Sequence, residues 1–212
     1  MAAQSSILLV EGNNDCHVIS ALCQIHQVSK NFDIVPRKGV DDVFKNLRIR
    51  LTTPEQYDKI GVVLDADENL QGRFDSFMNH IAQCGKYDCE HIKLSSDGLI
   101  LTPIDDVFPI VGLWIMPNNS ATGMLEDFVV ALAHKDDETL MQRADEILNQ
   151  LENEGIQKYK AVHRTKAKIH TFLAWQDEPG RPMGQAITAR ILDVNAETAK
   201  RFIQWLRQLF ED

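Results

Sequence analysis

The sequence predicts an α/β protein: a parallel sheet flanked by helices, followed by a helical C-terminal region. Three observations predict it. Short apolar runs alternate with amphipathic helical stretches through the first half of the chain. Two of those runs, residues 7–10 and 60–64, stop abruptly at carboxylates. Beyond Pro117 the strand pattern gives way to helical periodicity alone.

Taken in order, residues 7–10 form the first expected strand, a continuous apolar run suited to burial on both faces. A helix is expected over about 15–28, where Val18, Leu22, Ile25 and Val28 share nearly one face. Residues 32–36 predict a second strand, ending at Arg37, Lys38 and Gly39. Asp41 or Asp42 opens a second helix with Val43, Phe44, Leu47 and Leu51 inward, and Pro54 lies beyond its end. Residues 60–64 predict strand three, and a helix over 70–84 stops at Gly85, a suitable C-terminal cap. This β-α-β-α-β-α order implies a parallel sheet with right-handed crossovers. Residues 99–102 and 112–116 predict two more strands, joined by a Pro-containing, hairpin-like excursion. Helices are expected over 124–134, 138–154, 158–175, 188–192 and 196–210, with the clearest break at loop 177–184. The chain accordingly divides into an α/β unit, 1–122, and a helical extension, 123–212, whose apolar faces must be covered by docking on the sheet.

Composition narrows the classes. Hydrophobic residues make up 44% and charged residues 25% of the 212, ordinary for a globular protein. Apolar runs fall far short of a membrane span, and the first residues are too few and uncharged for a signal peptide, so a cytoplasmic location without membrane contact is expected. Cys16, Cys23, Cys84 and Cys89 lack metal-site spacing and are expected as free, mostly buried thiols. Trp114, Trp175 and Trp205 are expected in the core. A net charge of -9 argues against general polyanion binding. Yet residues 158–170 carry Lys158, Lys160, Arg164, Lys166 and Lys168 without one acid, either a solvated helix face or a local substrate contact.

The chemistry lies in the acids. In open α/β sheets, ligands bind at the carboxyl ends of the strands. Asp65 and Asp67 stand two apart at one strand end, so both point to one side if strand geometry persists. Glu11 ends strand one, on the same edge if strands one and three are neighbours. Carboxylates held together repel unless a cation neutralises them, and oxygen-only ligands suit Mg²⁺ or Mn²⁺. The plainer alternative is an acidic loop capping the following helices.

Leu9, Val10, Glu11 and Gly12 with Asp15, followed by Leu64, Asp65, Ala66 and Asp67, resemble the Toprim domain over about the first 120 residues. That module is shared by topoisomerases, primases, OLD-family nucleases and RecR-type repair proteins. A second stretch, Gly112 to Asn119 and then Gly123, Met124, Leu125, Glu126 and Asp127, is similar to the DUF3226 family of small Toprim-related proteins, over nearly the whole chain. The resemblance implies four parallel strands between helices. It implies Glu11 as a metal ligand or general acid/base and Asp65 and Asp67 as catalytic metal ligands. Glu126 is the candidate for a further ligand, and Lys166 or Lys168 for a lysine that stabilises phosphate charge. Asp15 is most simply a first-turn helix acid. His163 and His170 share a face with Lys166 and are more simply surface histidines. Arg37, Lys38 and Arg164 are candidate substrate contacts.

The function these features imply is Mg²⁺- or Mn²⁺-dependent cleavage of nucleic-acid phosphodiesters, DNA or RNA, in the manner of OLD-like nucleases, or a related phosphotransfer. There is no Gly-x-x-x-x-Gly-Lys-Ser/Thr motif, so a separate partner protein such as an ATPase is the candidate company. The alternatives are a non-catalytic Toprim module that binds nucleic acid or a partner protein in a repair or defence complex, and a receiver-like domain.

Overall fold

A computed structural model describes residues 5–54 and 56–211. The elements are β1 (Ser5–Val10), α1 (Asn13–His26), β2 (Phe32–Pro36), α2 (Val40–Leu51), β3 (Tyr57–Asp65) and α3 (Leu70–Cys84). Then follow β4 (Leu99–Leu101), β5 (Ile110–Met116), α4 (Leu125–Val130), α5 (Glu138–Asn153), α6 (Arg164–Ala174), α7 (Met183–Thr188) and α8 (Glu197–Phe210). The five strands form one sheet in the order β2-β1-β3-β5-β4. Four run parallel, and β4 returns antiparallel to β5 as the expected excursion. β1 and β3 are direct neighbours, so Glu11 and Asp65 leave the sheet at one edge.

Alternation along the central strands builds two cores. Ile7 and Leu9, with Val62 and Leu64, meet Val43, Phe44 and Leu47 of α2 and Phe74, Phe77 and Ile81 of α3. Leu8 and Val10, with Val63, Trp114 and Met116, meet α1 and residues of all five C-terminal helices. The sheet is thus covered on both faces, which explains why its strands are apolar without a polar side. α8 lies closest. Gly61 and Gly112 face each other across β3 and β5. A Cβ at Gly112 would stand 2.5 Å from Leu209 Cδ2, so the missing side chain makes room for the helix.

Several expectations shift. The expected 124–134 helix is shortened to α4, six residues long. The expected 158–175 helix begins instead with a 3₁₀ turn, Ala161–His163, before α6. α7 starts inside the stretch assigned to a loop, with Pro182 at its N-cap, because proline both breaks the preceding chain and pre-sets the φ that opens a helix. The helix expected at 188–192 is absent; Arg190 takes φ 61°, a left-handed conformation that ends α7. Trp114 and Trp205 are buried, but Trp175, at the C-cap of α6, is 41% exposed. All four cysteines are free and half-buried. Among the described residues no helix is long and apolar enough to cross a membrane.

Candidate functional site

The edge formed by the carboxyl ends of β1 and β3 and the first turns of α1 and α4 carries four carboxylates. Glu11 follows β1 and accepts a hydrogen bond at Oε1 from the Asp65 N–H, 2.9 Å. Its carbonyl accepts from Gly39 N–H at 3.0 Å, which ties the ends of β1 and β2 together. Asp65 closes β3, and its Oδ1 accepts from Leu125 N–H at 2.9 Å. Asp15 and Glu126 rise from the first turns of α1 and α4 and are 7% and 6% exposed. Lys166 of α6 reaches Glu126, Nζ to Oε1, at 3.1 Å. The open cleft above them holds about 360 Å³ and is rimmed by Gly12, Asn14, Met124 and His163.

Burial and mutual repulsion govern the charge of this edge. Burial pushes the Asp65 carboxyl well above the usual range, and the charges of Asp15, Glu11 and Glu126 push the same way. Asp15 is pushed up to about 7, mainly by burial and further by Glu11 and Glu126. Glu11 is also raised, by burial and further by the charge of Asp67, although the Asp65 amide and the Arg73 guanidinium hold it back. These are hard oxygen donors and proton-holding groups in one cleft. Among the described residues, however, no group of three or more His, Cys, Asp or Glu side chains is arranged so that it could hold a metal ion.

Asp67 lies beside that cluster, near enough for its charge to act on Glu11, but turned toward Arg73. The expectation that Asp65 and Asp67 point the same way required strand geometry past Asp65, and β3 ends there. Asp67 has φ 49°, in the left-handed region. Its N–H donates to Gly123 O at 2.9 Å, and its carbonyl accepts from Gly123 N–H at 2.8 Å. Its carboxylate meets Arg73 Nη2 at 2.6 Å, while Arg73 Nε donates to the Asp65 carbonyl at 2.8 Å.

The basic candidates divide. Lys166 faces the acidic cleft. Arg164 and Lys168 face α5, where Arg164 Nη1 binds Asp145 Oδ1 at 2.8 Å, Arg164 Nε lies 3.1 Å from Glu152, and Lys168 also pairs with Asp145. They brace α5 against α6. Arg37 pairs with Asp42 at 3.0 Å, and the Lys38 N–H donates to the same carboxylate. His163 rims the cleft and His170 is exposed. Two residues of the site were missed from sequence. Asp15 reads from sequence as a helix-opening acid, although it follows Glu11 by only four residues. Arg73 carried no signal, since only the fold brings its guanidinium back to β3.

A family model described as "Protein of unknown function (DUF3226)" matches residues 5–211. No curated protein matches the chain, and no solved structure does.

Proposed function

Because the chain belongs to the DUF3226 family, whose function is unknown, we propose its activity from the site: Mg²⁺- or Mn²⁺-dependent cleavage of nucleic-acid phosphodiesters, of the Toprim and OLD-like kind. One observation carries the reading. Glu11, Asp15, Asp65 and Glu126 are gathered in a single cleft, and burial with mutual repulsion raises Asp65 and Asp15 far from their ordinary range. Such an edge is costly to keep charged unless a cation shares it. Its donors are carboxylate oxygens, which suit magnesium or manganese and suit zinc poorly. Glu11 and Asp65 each commit one oxygen to a backbone amide, which orients the carboxylate and leaves it a second oxygen. Side-chain rotation must still draw the ligands together when the ion binds.

The ion would supply an activated water and a stabilised leaving oxygen. The chain's own part is to orient Glu11 and Asp65 and to hold the ammonium of Lys166 at the cleft. From there the long lysine stem can turn from Glu126 toward the charge of a phosphate. Nucleic acid is the proposed partner, together with a separate protein such as an ATPase. The test is cleavage of labelled single- and double-stranded DNA and RNA with Mg²⁺ or Mn²⁺, by the wild type and by Asp65→Asn. Cleavage by the wild type alone supports the reading.

A second reading is a non-catalytic module that binds nucleic acid or a partner protein. The observation in its favour is that no three acidic side chains are arranged around a common ion position among the described residues. Absence of cleavage of every substrate with both metals would select it.

A further inference from the structure

Arg73 and Asp67 touch the acidic edge without joining the carboxylate cluster. The guanidinium holds two oxygens of one turn at once: Nε the Asp65 carbonyl at 2.8 Å, Nη2 the Asp67 carboxylate at 2.6 Å. Its side chain is only 17% exposed, whereas that of Asp67 is 45% exposed. A planar guanidinium meets this two-point demand, and an ammonium does not. The same turn is pinned by the paired hydrogen bonds between Asp67 and Gly123 and by Leu125 N–H on Asp65 Oδ1. Asp67 is therefore held in the left-handed conformation, which aspartate tolerates better than most non-glycine residues.

We infer that Arg73 is a positioning residue of the acidic site, with Asp67 the anchor of its guanidinium. The inference rests on the metal-dependent reading above. The carbonyl that Arg73 grips belongs to the residue whose amide orients Glu11 and whose carboxylate shares the cleft with Asp15, Glu11 and Glu126. Fixing that carbonyl fixes both.

The experiment is Mn²⁺ binding to the full chain by calorimetry, with folding checked by circular dichroism. Asp65→Asn is expected to remove binding. Asp67→Asn, which keeps an oxygen for Nη2, should stay within ~5-fold of the wild type, as for loss of a half-exposed charge. Arg73→Gln removes a positive charge beside the carboxylates, so Coulomb's law alone would tighten Mn²⁺ binding. Positioning predicts the opposite, a loss of ~10–100-fold. Arg73→Lys should fall with it, because it keeps the charge but not the two-point grip. Should Arg73→Gln fail to fold, Arg73→Lys carries the comparison: the charge beside the carboxylates is kept, so Coulomb's law alone predicts unchanged Mn²⁺ binding, whereas positioning predicts the ~10–100-fold loss. Tighter binding by Arg73→Gln, or loss of binding by Asp67→Asn as complete as by Asp65→Asn, overturns the inference and leaves the metal site standing. A wild type that binds no Mn²⁺ overturns both.

Discussion

Asp15 shows most directly what the acidic edge costs the protein. Its carboxyl, ordinarily near 3.8, is pushed up to about 7 by burial and by Glu11 and Glu126. The folded protein therefore keeps a proton that the unfolded chain gives up. The associated stability is complete below about pH 4 and is lost as pH rises through about 7. Asp65 is displaced in the same direction. Metal-free protein should accordingly lose stability between about pH 4 and about pH 7, and Asp15→Asn should recover on the order of 2–4 kcal/mol at the upper end. Urea unfolding in chelator checks this; a wild type equally stable at both pH values would contradict it. Added Mg²⁺ or Mn²⁺ should raise the melting temperature of the wild type more at the higher pH, because the ion takes the deprotonated carboxylates. An equal rise at both would separate ion binding from this cluster. At this scale Glu11 and Asp65 were legible because each ends a recognisable strand. The direction of the Asp67 side chain is not legible, because alternation predicts direction only while the strand lasts, and no residue between Asp65 and Asp67 announces the turn.

Among the elements, strands were more legible than short helices, for a physical reason. β1, β3 and β5 are apolar on both sides because both sheet faces are covered, so their runs stand out. α4 and α7 have six residues each, fewer than two turns, too few for a periodic signal. Packing, not propensity, holds them: Leu125, Phe128 and Val129 of α4 and Met183, Ala186 and Ile187 of α7 are buried in the same core. The docking of α8 could not be read from its own sequence, since the room for it is made by Gly61 and Gly112. A methyl group at position 112 must displace Leu209 or the strand beneath it. Gly112→Ala should therefore destabilise the protein by about 1–3 kcal/mol, the usual range for overpacking. Because Leu209 presents a flexible end, the fold should survive. A shift of the unfolding midpoint with an unchanged denaturant slope would be the signature; no shift would mean that α8 is free to move away.

Across the whole molecule, the sequence divides more sharply than the core does. The strand-rich half and the helical half differ in periodicity, which suggests a boundary near residue 122. In the folded chain, Leu8, Val10, Val63, Trp114 and Met116 of the sheet share one core with Phe128, Phe172, Ile187, Phe202 and Trp205 of the C-terminal helices. Trp114 packs edge-on to Phe202 at 5.2 Å and lies 5.9 Å from Trp205, so the two halves meet at the level of single rings. Removing the helices would bare the whole of that sheet face to water, at roughly 25 cal/mol for each Å² of apolar surface. It would also take away the amide of Leu125 that orients Asp65, so the site and the core depend on the same junction. The expected outcome is that a fragment of residues 1–122 does not fold on its own. In the intact chain, tryptophan fluorescence and far-ultraviolet circular dichroism should report one coincident unfolding transition. Two separated transitions, or a soluble 1–122 fragment with a cooperative melt, would show that the α/β unit is independent of the helices that cover it.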